Sequence, residues 1–372
     1  MSELGAFIAG LPKAELHVHQ VGSASPRIVA ELAARHPGTV PSDPARLAEY
    51  FRFADFAHFI TVYLTVVDLI KTAEDVRLLT YEVAGEMAGQ QIRYAELTVT
   101  PYTSVVRGIP AAAFVEAIED ARLAAERDHG VMLRWIFDIP GELGVEGAEG
   151  TLAIALGHGP SSLVGFGLGG PEIGVPRPPF APYFERARAA GLRSVPHAGE
   201  TTGPQTIWDA LTLLGADRIG HGTTAVQDPR LLAHLAEEGV PVEVCPTSNL
   251  ATGAVADLAA HPIREMAAAG VPVTVNSDDP PMFGTTLNGE YAVAARLLDL
   301  DERGLTDLAL AAVSASFLDA PAKAALAAEI NAYGGRAGAA ARDAAAGATT
   351  APAPAAPPSA REARRCRGSG WR

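Results

Sequence analysis

Cysteine is scarce in this sequence. The 372 residues include only two, Cys245 and Cys366. They are too few and too far apart for a disulfide framework, and neither belongs to a CxxC zinc motif. The sequence therefore excludes a small disulfide-stabilised fold and a zinc site built from paired cysteines.

Positive charge is also in short supply, with 29 Lys and Arg against 43 Asp and Glu and a net charge of -14. Proteins that bind nucleic acids or anionic membranes usually present a basic face, so we expect neither partner. No uninterrupted apolar run approaches the roughly 18 residues that a membrane span needs. The N-terminal residues also lack the basic and apolar regions of a secretory signal. We expect a soluble, cytoplasmic protein.

Apolar residues make up 48% of the chain, and the mean hydropathy is +0.14, which is enough for a sizeable core. From residue 336 onward the composition changes to Ala, Pro and Gly, and it ends in an arginine-rich patch. Such a composition predicts a disordered tail over residues 336–372. Its arginines could bind an acidic partner, but a solvated tail is the more common case. The folded domain is predicted to span residues 1–335.

Short apolar segments alternate with longer helix-like segments in this domain. A helical insertion over residues 26–90 separates the first two apolar segments. Segments that are apolar on both faces are typical of a buried parallel sheet. The pattern predicts a (β/α)₈ barrel, with a doubly wound open sheet as the alternative. The predicted strands are residues 14–19, 93–100, 131–139, 163–170, 193–200, 218–222, 241–249 and 271–279.

Polar and special residues lie mainly at the carboxyl ends of these predicted strands. In a barrel the strand ends meet on one face, where active sites lie, whereas an open sheet would spread them along an edge. The barrel is therefore the preferred prediction. The residues concerned are His17, His19, Gly169, Gly170, His197, Glu200, His221, Asn249, Asp278 and Asp279.

His17 and His19 are two residues apart on the first predicted strand, so their side chains point to the same side. An HxH pair alone is a weak signal, because hydrogen-bonded histidines are common in cores. Together with His197 and Asp278 it forms a ligand set suited to Zn²⁺, with Fe²⁺, Mn²⁺ or Co²⁺ as competitors. Such a site lowers the pKa of a bound water.

Glu200 and His221 are placed to use that water. Glu200 follows His197 by three residues, so it lies near the predicted metal and can serve as a general acid. His221 can hold the attacking water. Simpler roles are a helix cap for Glu200, a packed polar residue for His221, and a turn pair for Asp278 and Asp279.

Five segments in this order resemble the motifs of adenosine deaminases, a family of the metal-dependent amidohydrolase superfamily. The resemblance extends from about Leu11 to Ala332. The segments are LPKAELHVH, VPHAGE, RIGHG, EVCPTSN and NSDDPPMFGT.

The resemblance implies hydrolytic deamination at C6 of an adenine nucleoside, with one Zn²⁺ per chain. Glu200 would protonate purine N1, and His221 would orient the attacking water. Asp279 would bind N7, and the backbone N–H of Gly170 would bind N3. The implied zinc ligands are His17, His19, His197 and Asp278.

Two positions depart from the family pattern. Val21 stands where the family has an aspartate that accepts a hydrogen bond from the ribose 5′-hydroxyl, and Gly167 stands where relatives often have an acid. Both changes indicate a smaller, more apolar pocket for a nucleoside extended at its 5′ end. With segments 137–142 and 169–178, the chain resembles the 6-aminodeoxyfutalosine deaminases of menaquinone biosynthesis. The substrate's aryl carboxylate would need a cation, and Arg27, Arg177 and Arg193 are the candidates by location.

Two other functions remain open at this point. An adenosine or adenine deaminase of purine salvage would share the same metal and acid residues. A binding protein without catalytic activity could use the same barrel, although all the expected metal and acid positions are present. The sequence leaves the oligomeric state open.

Overall fold

A computed structural model describes residues 2–38, 40–51 and 56–349 of the chain. Eight parallel strands are hydrogen-bonded in sequence order, and helices surround them. The predicted (β/α)₈ barrel is therefore confirmed. The strands are β1 (Lys13–His19), β2 (Ile92–Val99), β3 (Met132–Pro140), β4 (Leu163–Gly169), β5 (Arg193–Ala198), β6 (Ile219–His221), β7 (Val242–Val244) and β8 (Val273–Val275).

The barrel closes between β8 and β1 through few backbone contacts. The N–H of His19 donates to the carbonyl of Asp278 at 3.0 Å, and the N–H of Asp278 donates to the carbonyl of His17 at 3.1 Å. The side-chain oxygen of Asn276 accepts the N–H groups of Leu16 and His17 at 2.9 and 3.2 Å. A side-chain amide thus replaces a missing strand carbonyl, and the closure places Asp278 against both histidines of β1.

The helices form the outer layer and cover one end of the barrel. None of those in the described residues is long and apolar enough to cross a membrane. They are α1 (Glu3–Gly10), α2 (Pro26–Arg35), α3 (Pro44–Tyr50), α4 (Phe56–Val67), α5 (Ala73–Gly89), α6 (Pro101–Val106), α7 (Ala111–His129), α8 (Gly144–His158), α9 (Ala181–Ala189), α10 (Pro204–Thr212), α11 (Pro229–Glu237), α12 (Pro246–Ala251), α13 (Ile263–Ala268), α14 (Leu287–Leu298), α15 (Glu302–Ala315) and α16 (Ala320–Thr349).

Helices α2 to α5 form the predicted insertion between β1 and β2. Local capping explains where two of them begin. The hydroxyl of Ser25 accepts the N–H of Ile28 at the start of α2, and Thr72 with Asp75 forms a capping box at the start of α5. These signals let the insertion fold as helices that pack over the barrel mouth.

Two predicted boundaries concern the end of β7 and the start of the C-terminal tail. The seventh strand was predicted to run to Asn249, but β7 ends at Val244, and Asn249 lies on α12. Pro246 explains the early end, because proline cannot donate to a strand ladder and favours the first turn of a helix. Helix α16 continues past residue 335, and residues 350–372 lie outside the described residues. The disordered tail therefore remains a prediction.

Candidate active site

The structure brings the four predicted metal ligands together at the carboxyl end of the barrel. His17 and His19 end β1, His197 lies in β5, and Asp278 follows β8. The Nε2 atom of His19 lies 3.3 Å from both Asp278 Oδ1 and His197 Nε2. The Nε2 atom of His17 lies 3.6 Å from the same Asp278 oxygen. Three imidazoles and one carboxylate thus converge on one point.

The surroundings of His17 show that this cluster suits a cation. Its Nδ1 atom lies 2.9 Å from Glu243 Oε2, so the proton of a neutral ring is held at Nδ1. Its buried Nε2 atom has no hydrogen-bond partner among the described residues. Burial lowers the pKa of His17, but the carboxylates of Asp278 and Glu243 outweigh it and raise the pKa to about 10. The cluster favours positive charge, and its donor set fits a divalent metal.

A second group of potential ligands overlaps the first and contains His17, His221, Cys245 and Asp278. Burial raises the pKa of the Cys245 thiol, whereas a metal binds the thiolate. The Sγ atom also contacts the carbonyl oxygen of Glu243 at 3.8 Å. The group that contains three histidines is therefore the better candidate metal centre.

Two residues of the site adopt strained backbone conformations. His221 has φ 63° and Asp278 has φ 65°, values that residues other than glycine seldom adopt. Such strain persists only where the surrounding structure enforces it, and it is typical of functional sites. At Asp278 the hydroxyl of Ser248 donates to Oδ2 at 2.6 Å, which leaves Oδ1 facing the histidines.

Glu200 and His221 face each other beside the four predicted metal ligands, with Glu200 Oε2 3.7 Å from His221 Nε2. The amide of Asn249 donates to His221 Nδ1 at 3.0 Å, so the ring proton lies on Nε2 and points toward Glu200. Burial lowers the pKa of His221 to about 3, which keeps the ring neutral. Burial, together with the charges of Asp278 and Glu172, raises the pKa of Glu200 to about 8. This raised pKa suits Glu200 to act as a general acid near neutral pH.

Asp279 and Gly170 lie on the same cavity wall. Burial and the charge of Asp278 raise the pKa of Asp279 to about 7, and its Oδ1 atom has no partner among the described residues. Asp279 packs so closely on Gly22 that a Cβ atom there would overlap its carboxylate. Gly170 has φ 79°, the left-handed conformation that favours glycine.

One cavity connects these groups, with an empty volume of about 1130 Å³ including its open mouth. Its polar wall carries His19, His197, Glu200, Asp278 and Asp279. The apolar part of the lining includes Val21 and comes mainly from the helical insertion; we call it the apolar arm. Thr100, Thr103 and Ser104 also line the cavity. The arm is lined by Phe59, Ile60, Tyr63, Leu64, Val67, Ile70, Val76 and Phe114.

The predicted cations for a substrate carboxylate are not in this cavity. Arg27 pairs with Glu82 on the surface, and Arg193 pairs with Asp217 at the amino end of β5. Arg177 is buried in hydrogen bonds to protein groups. No arginine or lysine lines the cavity in the part of the chain that the structure describes. None of the three candidates therefore lines the cavity, because location along the chain does not show where a side chain points.

The prediction that Gly167 makes the pocket more apolar also needs correction. A Cβ atom at Gly167 would lie 2.5 Å from Oδ1 of Asp138, a buried residue of the adjacent strand β3. The space left by the glycine is therefore filled by a carboxylate. Burial raises the pKa of Asp138 to about 7.

A buried pair that no sequence pattern reveals supports the loop around Glu200. The carboxylate of Glu172 accepts the N–H groups of Gly199, Thr201 and Thr202 at 2.7, 2.6 and 3.1 Å. Arg177 lies 3.3 Å from Glu172 and donates to the carbonyl of His197 at 2.6 Å. The pair thus holds the backbone on both sides of Glu200. A glutamate next to a glycine-rich strand end gives no signal of these contacts in the sequence.

A parallel (β/α)₈ barrel with three histidines, an aspartate and a glutamate of raised pKa at its carboxyl end is the arrangement of a metal-dependent hydrolase. Residues 12–333 match the family model described as adenosine deaminase. The chain belongs to the adenosine deaminase family, as its motifs predicted.

Three individual relatives illustrate this similarity. The aminodeoxyfutalosine deaminase of Streptomyces avermitilis is 70% identical over 334 residues, which cover 89% of this chain and 93% of that protein. The structure of an adenine deaminase from Arthrobacter aurescens shares 31% identity with a TM-score of 0.82, over 87% of this chain and 99% of that one. A Burkholderia ambifaria amidohydrolase structure with bound Zn shares 27% identity with a TM-score of 0.83, over 91% and 96%.

We expect Glu172→Gln to loosen the backbone on either side of Glu200. Hydrogen bonds to a charged acceptor contribute about 1.5–3 kcal/mol, so amide exchange at Gly199, Thr201 and Thr202 should accelerate at least about tenfold. Hydrogen exchange read out by mass spectrometry on peptides across this loop measures the effect. Glu185→Gln, on the exposed face of α9, is the matched control. Unchanged protection of the loop in the Glu172 variant would contradict the assigned support.

Proposed function

We propose that this protein is a hydrolytic deaminase acting at C6 of a 5′-extended adenine nucleoside, converting 6-aminodeoxyfutalosine to futalosine in menaquinone biosynthesis. One observation carries the proposal: the cavity that contains the predicted metal ligands is also lined by Val21 and by the apolar arm. An apolar 5′ substituent buried there would contribute roughly 25 cal/mol per Å². The aminodeoxyfutalosine deaminase that is 70% identical supports the same substrate.

The proposed metal is one Zn²⁺ per chain. The unpartnered Nε2 of His17 and the convergence of nitrogen and carboxylate donors support this choice. The Zn-bound Burkholderia ambifaria relative supports it as well. When bound, the ion lowers the pKa of a water so that hydroxide is present near neutral pH. The proposed ligands are His17, His19, His197 and Asp278.

The remaining polar groups act on the purine. Glu200 is protonated at neutral pH and donates to N1, which makes C6 more electrophilic. The Nε2–H of His221 points into the same space and orients the attacking water. N7 can only accept a hydrogen bond, so Asp279 must donate one, and its raised pKa supports that role. The N–H of Gly170 donates to N3. Addition at C6 is followed by loss of ammonia.

The apolar arm supplies the contacts for the 5′ extension. Phe59 and Tyr63 of α4 face the cavity from the insertion, and Val21 replaces the acid that would accept a free 5′-hydroxyl. In the described residues no lysine or arginine lines this wall, so the hydroxyls of Thr100, Thr103 and Ser104 are the donors available to a carboxylate on the extension. Recognition then depends on apolar burial and neutral donors rather than on an ion pair.

Purified protein should carry about one equivalent of zinc, measurable by elemental analysis. His197→Ala should lose most of it, because it removes one of four ligands. His158→Ala, on the exposed end of α8, should retain the wild-type content. Full metal occupancy in the His197 variant would show that the ion is held elsewhere.

Glu200→Gln should keep the metal and the fold but lower turnover by roughly 10²–10⁴-fold, the usual contribution of a general acid. Steady-state deamination, followed as the loss of adenine-type absorbance, measures the effect, and metal analysis on the same sample excludes a lost ion. Glu237→Gln, exposed on α11, is the control. Near-normal turnover of the Glu200 variant would mean that the proton comes from another group.

Substrate preference tests the proposed function itself. The wild-type protein should deaminate 6-aminodeoxyfutalosine far more efficiently than adenosine or adenine. Val21→Asp should shift the ratio of kcat/KM values toward adenosine by about 1–3 kcal/mol, since the 5′-hydroxyl regains an acceptor. Val21→Ala keeps the wall apolar and should leave the ratio nearly unchanged. If the wild type prefers adenosine or adenine, the protein is a purine salvage deaminase instead.

A further inference from the structure

His261 is a buried histidine that the proposed chemistry does not use. It is 4% exposed, precedes α13 and does not line the cavity. Its Nδ1 atom accepts the N–H of Ile263, the first residue of α13, at 3.2 Å. The first N–H groups of a helix have no partner within the helix, so this ring caps the start of α13. The contact accounts for one ring nitrogen of His261, and the other nitrogen faces Asn249.

The contact with Ile263 fixes the position of the proton on the His261 ring. A backbone N–H can only donate, so Nδ1 of His261 is the acceptor, and in a neutral ring Nε2 then carries the proton. Burial lowers the pKa of His261 to about 4, which keeps the ring neutral at neutral pH. The Nε2 atom lies 3.2 Å from Oδ1 of Asn249, so it donates to that oxygen.

The orientation of the Asn249 side chain follows from this donor. An amide can be turned over so that its oxygen and nitrogen exchange places, and its hydrogen-bond partners decide which arrangement holds. Because its oxygen faces His261, Asn249 directs Nδ2 to Nδ1 of His221 at 3.0 Å. Since Nδ2 can only donate, the proton of His221 lies on Nε2, the atom 3.7 Å from Glu200. One backbone N–H thus sets the direction of three successive hydrogen bonds.

Three separate segments supply this chain of hydrogen bonds. His221 ends β6, Asn249 lies on α12, and His261 precedes α13. Asn249 is fully buried and His221 is 1% exposed, so bulk water does not compete for these contacts. Hydrogen bonds in such surroundings are electrostatically stronger than in water. Neither Asn249 nor His261 lines the cavity, so both act on the site through His221.

We propose that His261 and Asn249 are positioning residues that hold His221 in the tautomer presenting an N–H, rather than a lone pair, to the space beside Glu200. The inference rests on the role of His221 in the proposed function, where that N–H orients the attacking water. In serine proteases a wrong imidazole tautomer lowers kcat about 10⁴-fold, so the choice of tautomer has a measurable effect. A histidine that only caps α13 would have no influence on the His221 ring.

The tautomer can be measured without substrate. NMR of protein labelled with ¹⁵N-histidine shows which ring nitrogen carries the proton, and the His221 signals are those missing from a His221→Gln variant. The wild type should carry the proton on Nε2. In Asn249→Asp, measured above neutral pH, the carboxylate can only accept, so the proton should move to Nδ1. The value of kcat/KM should fall by about 10²–10⁴-fold. Asn331→Asp, exposed on α16, is the matched control and should change neither quantity.

Two variants of His261 separate positioning from helix capping. His261→Gln places an amide nitrogen near the position of Nε2, so it can donate to Asn249 but loses the acceptor for Ile263. His261→Asn places an oxygen near the position of Nδ1, so it keeps the cap but loses the donor to Asn249. We expect His261→Gln to retain the His221 tautomer and most of the activity. His261→Asn should show a mixture of tautomers and about tenfold lower kcat/KM.

Two results would overturn the inference: a His221 proton that stays on Nε2 in Asn249→Asp, or a folded His261→Asn variant with the tautomer and activity of the wild type. If His261→Asn loses its thermal stability, Asn249→Asp alone decides. Activity is measured on whichever adenine compound the wild type deaminates best. Failure of the proposed function would therefore appear in the substrate preference of the wild type, whereas failure of this inference would appear in the ring nitrogens of His221.

Discussion

The buried ion pair between Arg218 and Glu243 connects the barrel interior to the predicted metal ligands. The guanidinium of Arg218 donates to Glu243 and to Glu96, and both carboxylates are fully buried. The other oxygen of Glu243 lies 2.9 Å from His17 Nδ1. An unpaired charge buried this deeply would cost much free energy, so each charged group here depends on its neighbour. Arg218 keeps Glu243 ionised, and Glu243 in turn sets the tautomer and direction of the His17 ring, a proposed metal ligand.

The closure of the barrel and the geometry of the site also depend on each other. Asn276 completes the contact between β8 and β1, and two residues later Asp278 takes a left-handed conformation that aims its carboxylate at the histidines. A backbone that is strained at a ligand position needs rigid neighbours. Closure of the sheet supplies that rigidity. The fold and the site are therefore stabilised by overlapping sets of residues.

Much of the architecture was predictable because it follows from local patterns. Strand ends carry polar residues where parallel strands converge, so the sequence alone predicts that His17, His197 and Asp278 lie on one face. Asn249 was assigned to a strand because its segment is apolar, although Pro246 already indicated a helix. Contacts across the sheet were beyond prediction, because the sequence does not tell which glycine makes room for which side chain. The carboxylate of Asp138 in the space beside Gly167 is such a case.

Two parts of the fold supply different groups to the cavity. Strand ends carry the proposed catalytic groups, and their geometry is held by the sheet, by buried pairs such as Glu172 with Arg177, and by glycines. The insertion between β1 and β2 supplies most of the apolar arm from helices that contribute no proposed catalytic group. Under the proposed function, changes on α4 would therefore alter the accepted 5′ substituent without moving a proposed metal ligand. Under that proposal, a single barrel keeps one deamination chemistry while its insertion determines which adenine compound binds.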